Sequence, residues 1–345
     1  MKTPIAWALL ALAGLSSGCV TSYAARPALS FQDFDYSSTE GKPWPLGRMA
    51  LPETAATHAL QRVPEVAYVE LNPEGAQTVV FIHGLGSYLK FWRYQLDAFA
   101  ARGYRVLALD LPGYGKSDKP ASFPYTMEAM ADVVHEFSQK LGASQPILVG
   151  HSMGGQTALS YALRYPQDLK ALVLTSPAGF EHFSVREKAW FKRAFSTSLI
   201  KSASESSIWG SVRQANFERW RPELDWLIEE RVRVAKSPEF DSYAYANVRT
   251  VNGLAHNDFV RDSLTQVAVP TLIIYGEDDR LIPNAFLHGG WARDVMRYGH
   301  ERISGSKLVG LAGCGHIVQM DCPQEYNPQV FGFLDGLGAS SPPAP

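Results

Sequence analysis

Short apolar runs alternate with helical patterns along this chain, and the alternation constrains the fold more than any other feature. TVVFIHG and YRVLALD, which begin at Thr78 and Tyr104, have the character of buried strands. Between them, FWRYQLDAFAARG has helical spacing and ends at Gly103, a natural helix stop. The pattern resumes through PILVG, LKALVLTSP, PTLIIYG and SKLVGLAG. It predicts an α/β protein with a mostly parallel sheet and helices on both faces.

The alternation stops after Pro177. Residues 177–266 have the pattern of amphipathic helices without strands, so we predict an α/β core over residues 66–176 and 267–339 with a helical insertion between the two parts. The insertion holds four of the eight tryptophans, which pack its own core or line an apolar pocket. It carries 13 Lys and Arg against 12 Asp and Glu, so a strongly anionic substrate is not favoured.

The N-terminus has the pattern of an export signal. An apolar run too short to span a bilayer precedes LSSGC, which resembles a bacterial lipobox. The resemblance implies a signal peptide over 1–18, a lipid on Cys19 and a membrane-anchored protein of the bacterial cell envelope. Cleavage near SYAA, giving a secreted or periplasmic soluble protein, and a cytoplasmic N-terminus are the alternatives. Residues 19–65 are predicted to form a tether, with order beginning at VAYVELN, and residues 340–345 a disordered tail.

Ser152 stands at a strand-to-helix junction in ILVGHSMGG. The G-x-S-x-G motif in this context is typical of a nucleophile on a sharp turn, because Gly150 and Gly154 are small enough to flank it. Such a turn exposes the hydroxyl and aims the backbone N–H of Met153 at the charge that develops on a reacting carbonyl. A helix N-cap serine in a glycine-rich turn is the alternative.

An acid and a histidine follow later in the chain, each after a strand. TLIIYG leads into EDDRLIP, which offers Glu277, Asp278 and Asp279, and KLVGLAG leads into CGHIVQ, which offers His316. The carboxyl ends of parallel strands meet at one sheet edge, so these groups can converge on Ser152. Ser, acid and His then stand in the order expected of a nucleophile-elbow enzyme.

These motifs resemble those of the α/β-hydrolase superfamily, with a match from about Val66 to Leu337. The resemblance implies the α/β-hydrolase fold, with the helical insertion as a lid over the nucleophile. Its G-x-x-D-x-x-[IV]-P pattern selects Asp279 rather than Asp278 as the acid, and its GH pattern selects His316 as the base. Its H-G-x-G pattern matches HGLG, which assigns the backbone N–H of Leu85 to the oxyanion hole with that of Met153.

Other residues near these motifs receive structural interpretations. His83 is expected to brace the HGLG loop by hydrogen bonding, and His151 is a filler beside the nucleophile. Tyr243, Tyr245 and His256 could touch substrate, although structural roles are favoured for all three. Pairing of Cys314 with Cys322 is left open, because eight residues of separation says nothing about their geometry.

A serine at the elbow narrows the reaction. Family members that open epoxides or remove halide place Asp there, so Ser152 implies a serine hydrolase that cleaves a carboxylic ester with a hydrophobic acyl group, without metal or cofactor. An aminopeptidase, a lactonase or a C–C hydrolase on the same triad, and a binding lipoprotein without catalysis, are the alternatives. The expected partner is a small acyl ester. A net charge of −2 without long like-charge runs gives no footprint for nucleic acid.

Overall fold

One sheet organises the protein. The computed structural model describes residues 22–339, so Cys19, the predicted signal peptide and the predicted tail lie outside the described residues. The eight strands of the described part pair in the order β1-β2-β4-β3-β5-β6-β7-β8. They are β1 (Leu46–Ala50), β2 (Glu65–Leu71), β3 (Thr78–Ile82), β4 (Arg105–Leu109), β5 (Ile147–His151), β6 (Ala171–Thr175), β7 (Thr271–Gly276) and β8 (Lys307–Leu311).

The sheet is mostly parallel, which confirms the prediction of an α/β fold built on a mostly parallel sheet. Only the β1–β2 and β2–β4 pairs are antiparallel within the described residues. The α-helices are α1 (Pro52–Thr57), α2 (Leu96–Ala101), α3 (Met127–Lys140), α4 (Met153–Arg164), α5 (Val185–Ala194), α6 (Thr197–Lys201), α7 (Glu205–Trp209), α8 (Trp226–Val234), α9 (Phe240–Ala255), α10 (Asp258–Asp262), α11 (Ala292–Arg302), α12 (Val318–Asp321) and α13 (Pro323–Ala339).

The central strands are buried along their whole length. Every residue of β5, β6 and β7 is buried, as their unbroken apolar sequences predict for strands covered on both faces. In register, Gly150 of β5 pairs with Leu174 of β6, and Leu174 pairs with Ile273 of β7. The carboxyl ends of these strands therefore meet at one edge of a rigid sheet, where the site is built.

Ordered structure begins earlier than the sequence indicates. The predicted tether over 19–65 contains β1, which pairs with β2, and α1. Phe31, Phe34, Tyr36 and Trp44 are all buried in the main hydrophobic core. The prediction of order from VAYVELN onwards is therefore wrong. These aromatic side chains have no regular spacing, so their burial depends on contacts with distant parts of the chain rather than on a local pattern.

Between β6 and β7 the chain forms α5 to α10. The segment is held to the core by buried side chains such as Leu224, Leu227 and Phe240, which belong to the main hydrophobic cluster. Its outer helices are less covered, and Val185 and Trp190 of α5 are exposed. Among residues 22–339, no helix is both long enough and apolar enough to cross a membrane.

Candidate active site

Ser152 lies on a sharp turn between β5 and α4. Its backbone has φ 52° and ψ −114°, a left-handed conformation that is strained for any residue with a side chain. The turn is held from both sides, because the Ser152 N–H donates to the Thr175 carbonyl at 2.9 Å and its carbonyl accepts from the Ala178 N–H at 3.0 Å. A Cβ on Gly150 would lie 2.3 Å from the Gly154 oxygen, which confirms that the flanking positions must be small.

His316 and Asp279 lie side by side after neighbouring strands. The Nδ1 of His316 is 2.7 Å from the Oδ2 of Asp279, and the side chains of both are nearly or fully buried. The other carboxylate oxygen of Asp279 accepts from the N–H groups of Leu281 and Ile282, at 2.8 and 3.0 Å. Since Nδ1–H donates to the carboxylate, Nε2 is the basic nitrogen of the neutral imidazole.

Asp278 has a different partner. Its Oδ2 accepts from the Gly313 N–H at 2.8 Å, so it joins the loops that follow β7 and β8. The structure therefore brings His316 to Asp279 and holds Asp278 away in a backbone contact.

Asp321 fixes the loop that carries His316, and sequence reasoning missed it. This buried carboxylate accepts from the Gly315 N–H at 2.7 Å and from the N–H groups of Glu218 and Arg219, both at 2.8 Å. Cys314 and Cys322, whose pairing was left open, form a disulfide across the same loop. The histidine loop is thus tied both to itself and to the helical segment.

The HGLG loop lies against the elbow. A Cβ on Gly84 would be 2.7 Å from the Nδ1 of His151 and 3.2 Å from the Cβ of Ser152, so glycine is what allows this close approach. His83 braces the loop as predicted: its Nδ1 donates to the Gly84 carbonyl at 2.8 Å and its Nε2 accepts from the Leu111 N–H at 3.0 Å. Burial lowers the pKa of His83 to about 4, so it stays neutral.

Two backbone donors remain available beside Ser152. Within residues 22–339, the N–H groups of Leu85 and Met153 donate no hydrogen bond to another protein group. Met153 is the first residue of α4, whose N-terminal N–H groups carry partial positive charge. His151, the last residue of β5, contacts the His316 carbonyl through Nε2 at 3.1 Å. Burial, with His316 as a neighbour, holds the pKa of His151 well below its ordinary value.

A cavity of about 720 Å³ opens over this edge of the sheet. Ser152, His316 and Leu85 line it, together with apolar side chains of the N-terminal segment and of the helices between β6 and β7. Phe31 and Phe34, which the sequence placed in a tether, belong to its wall. The apolar lining suits a hydrophobic ligand group.

The tryptophans of the helical segment serve packing. None of the four is part of the cavity wall within the described residues. Trp209 and Trp220 pack against each other with ring centroids 5.7 Å apart, and the Lys90 ammonium lies 4.2 Å from the ring centre of Trp226. Of the three residues suggested as possible substrate contacts, Tyr243 lines the cavity. Tyr245 instead donates to a backbone carbonyl at 3.2 Å.

Several polar residues in the cavity wall were not identified from the sequence, and three of them are large enough to matter for ligand binding. They are Gln156 on α4, Glu181 after β6 and Arg231 on α8. Arg231 forms no ion pair or hydrogen bond among the described residues, and its guanidinium carbon lies 4.7 Å from the ring centre of Phe240. The near-equal numbers of acidic and basic residues in the helical segment therefore gave no indication that a cation without an ion-pair partner among the described residues lines the cavity. Whether a residue lines a cavity depends on which face of its helix turns inward. A single polar residue in the sequence does not indicate which face that is.

The comparisons with known proteins agree with this architecture. A family described as alpha/beta hydrolase fold matches residues 77–323. The chain belongs to the alpha/beta hydrolase fold family. Within that family the hydrolase is similar to a probable hydrolytic enzyme from Pseudomonas aeruginosa, at 25% identity and a TM-score of 0.76 over 91% of this chain and 99% of that one.

Two further relatives have names that indicate different substrates. One is an esterase from Exiguobacterium antarcticum, at 25% identity and a TM-score of 0.66 over 79% of this chain and 96% of that one. The other is a 2-hydroxy-6-oxononadienedioate/2-hydroxy-6-oxononatrienedioate hydrolase from Paraburkholderia phymatum, 27% identical over 77% of this chain and 90% of its own length. Membership of the family therefore leaves the scissile bond of the hydrolase open.

Proposed function

We propose that the protein is a serine hydrolase that cleaves carboxylic esters with a hydrophobic acyl group. The observation that carries this proposal is the meeting, in one apolar cavity, of a strained serine elbow and a histidine already hydrogen-bonded to a buried carboxylate. Ser152 is the proposed nucleophile, His316 the base and Asp279 the group that orients the base.

Each proton has a defined path in this mechanism. Ser152 Oγ attacks the ester carbonyl while His316 Nε2 takes its proton, and the charge on the carbonyl oxygen is met by the N–H groups of Leu85 and Met153. His316 then gives the proton to the departing alcohol, leaving an acyl group on Ser152. Water repeats the sequence and releases the acid. Asp279 stays ionised and stabilises the imidazolium.

We also propose that the helices between β6 and β7 act as a lid. Side chains of α5, α8 and α9, such as Phe191, Leu227 and Val251, line the cavity beside Ser152 and His316. A cover of this kind excludes water from the acyl group and adds apolar contact area.

Hydrolysis of p-nitrophenyl esters from acetate to laurate tests the proposal. Ser152→Ala should lower turnover on the order of 10⁶-fold, because the nucleophile is lost while the cavity stays intact. A fluorophosphonate probe should label the native protein at Ser152 and leave the variant unlabelled. Native protein that neither turns over esters nor reacts with the probe would contradict the assignment.

A C–C hydrolase acting on a carboxylate-bearing ketone is a second candidate. Arg231 favours it, because this unpaired cation lines the cavity and a relative is named for a dicarboxylate substrate. If a substrate carboxylate binds there, Arg231→Met should lower kcat/KM for a dienoic ketone acid by about 10- to 100-fold. Neutral esters should be unaffected. Arg249→Met, on an exposed position of α9, is the matched control.

We infer a cell-envelope location from the lipobox-like LSSGC, with a lipid on Cys19 as the anchor. Radioactive palmitate should label the protein in a bacterial host, and globomycin should block its processing. Cys19→Ser should abolish the label. Processing that globomycin does not affect would favour the secreted or periplasmic alternative.

A further inference from the structure

Gln156 lies in the cavity wall next to the proposed nucleophile. It follows Ser152 by four residues on α4, and its backbone N–H donates to the Ser152 carbonyl at 3.2 Å. Only 1% of its surface is exposed, yet neither its amide oxygen nor its amide nitrogen has a hydrogen-bond partner among residues 22–339. A buried amide with both ends unpaired is costly, and native proteins keep few of them.

The surrounding loop is shaped around this side chain. Gly179, at φ +104°, lies close enough that a Cβ there would be 3.1 Å from the Cγ of Gln156. The loop is tied to the elbow by the hydrogen bond from Ala178 to Ser152. The Gln156 amide is therefore confined between the elbow and this loop, where the cavity is the side open to a ligand.

The chemistry of the amide defines the ligand group. A glutamine amide offers two donors and one acceptor oxygen, so its complement is a group that both donates and accepts. A hydroxyl or an amide on the substrate meets this requirement, whereas an anion would leave the glutamine oxygen unpaired. Ser152 and Gln156 line the same cavity, and the Gln156 backbone N–H donates to the Ser152 carbonyl at 3.2 Å. The complementary group would therefore stand close to the reacting carbonyl.

We propose that Gln156 forms a polar subsite that binds a neutral hydroxyl or amide substituent of the ester, close to the scissile bond. The inference rests on the proposed ester hydrolysis and narrows it to esters that are hydrophobic overall and carry one such substituent. A site built to hydrogen-bond such a group discriminates strongly against the analogue without it.

Matched pairs of esters test the subsite by initial rates in a pH-stat. Methyl 3-hydroxybutyrate against methyl butyrate probes the acyl side, and 2-hydroxyethyl butyrate against propyl butyrate probes the alcohol side. The native protein should prefer the hydroxylated member of one pair by about 10-fold or more in kcat/KM. Gln156→Leu should remove that preference, so that the two esters of the pair are hydrolysed with similar kcat/KM.

Gln319→Leu is the matched control. Gln319 is also fully buried with both amide atoms unpaired among the described residues, but it is not part of the cavity wall. Its substitution should leave the preference unchanged. Turnover of all four esters without a preference in the native protein would overturn the subsite alone, as would a preference that persists in Gln156→Leu. Failure of every ester together with an unlabelled Ser152 would overturn the proposed function and the subsite with it.

Discussion

The strands beneath the site and the helices above it differ sharply in packing. In β5, β6 and β7 every residue is buried, whereas α6 buries none of its residues and α5 buries only Phe191. Ser152 and Asp279 follow β5 and β7 of the first region, and His316 follows the neighbouring β8, whereas much of the cavity wall belongs to the second region. Chemistry that needs fixed geometry is thus placed on the densely packed sheet, while residues of the lightly packed α5 can be changed with little effect on stability.

Two neighbouring carboxylates on the sheet side give the sharpest test of that geometry. Asp279→Asn should lower kcat/KM for an ester by about 10⁴-fold, because an amide at that position holds the imidazole in the wrong tautomer. Asp278→Asn should cost less than about 10-fold, since among the described residues the Asp278 side chain accepts a hydrogen bond only from the Gly313 N–H. Steady-state kinetics on both variants decides between them, and the reverse ranking would show that the acid was assigned to the wrong residue.

Stability should follow the same division. Phe81 of β3 is fully buried against Trp92 and Phe99, so Phe81→Ala should cost about 3 to 5 kcal/mol in the free energy of unfolding. Trp190 of α5 is 39% exposed, and Trp190→Ala should cost less than about 1 kcal/mol. Urea unfolding of the two variants measures both values. Similar losses would mean that the outer helices are as tightly coupled to the core as the strands are.

A buried ion pair joins the two regions. Lys90, after β3, lies 2.8 Å from Glu230 of α8, and Tyr88 also donates to that carboxylate. Lys90→Met should cost about 3 kcal/mol or more, because it leaves Glu230 buried without its cation. The double variant Lys90→Met with Glu230→Leu should recover most of that loss. Urea unfolding of the native protein, the two single variants and the double variant tests this. A double variant no more stable than Lys90→Met alone would show that the ion pair itself stabilises the contact.

The smallest expected effect concerns His288, which lies between two carboxylates at the edge of the helical segment. Its ring nitrogens are 2.9 Å from Glu181 and 3.0 Å from Glu187. Partial burial opposes its charge, but these hydrogen bonds raise the pKa of His288 above 6.5, and they lower the pKa of Glu187 from 4.5 to about 2. Burial raises the pKa of Glu181.

The sign of each shift sets a pH window for this contact. A raised His288 pKa gives stability that is fully present below pH 6.5 and is lost as the pH rises through the folded-state value. A lowered Glu187 pKa gives stability present above 4.5 and lost on acidification towards about 2. The Tm difference between native protein and His288→Gln should therefore be largest between pH 4.5 and pH 6.5, and it should decrease at alkaline pH. A difference independent of pH would contradict the charged contact.

Much of the sheet and the residue types of the site could be read from sequence, because both leave local patterns. The runs that became β3 to β8 are short, apolar and closed by polar or glycine residues, and G-x-S-x-G depends on the steric limits of one turn. β1 was missed because none of its residues is fully buried, and its sequence LGRMA therefore lacks the apolar run that marks the other strands. The buried aromatics of residues 31–44 were missed for a related reason, since their partners lie far away in the chain.

The sequence by itself determined the strand and helix alternation, the elbow at Ser152 and the order of serine, acid and histidine, because each depends on neighbouring residues. The family pattern selected Asp279, and the structure shows its contact with His316. Only the tertiary structure decided that Cys314 pairs with Cys322 and that Gln156 and Arg231 line the cavity. These outcomes depend on how loops from separate strands and one face of each helix meet in space. The spacing of neighbouring residues does not show these contacts, because they are set by the packing of the whole chain.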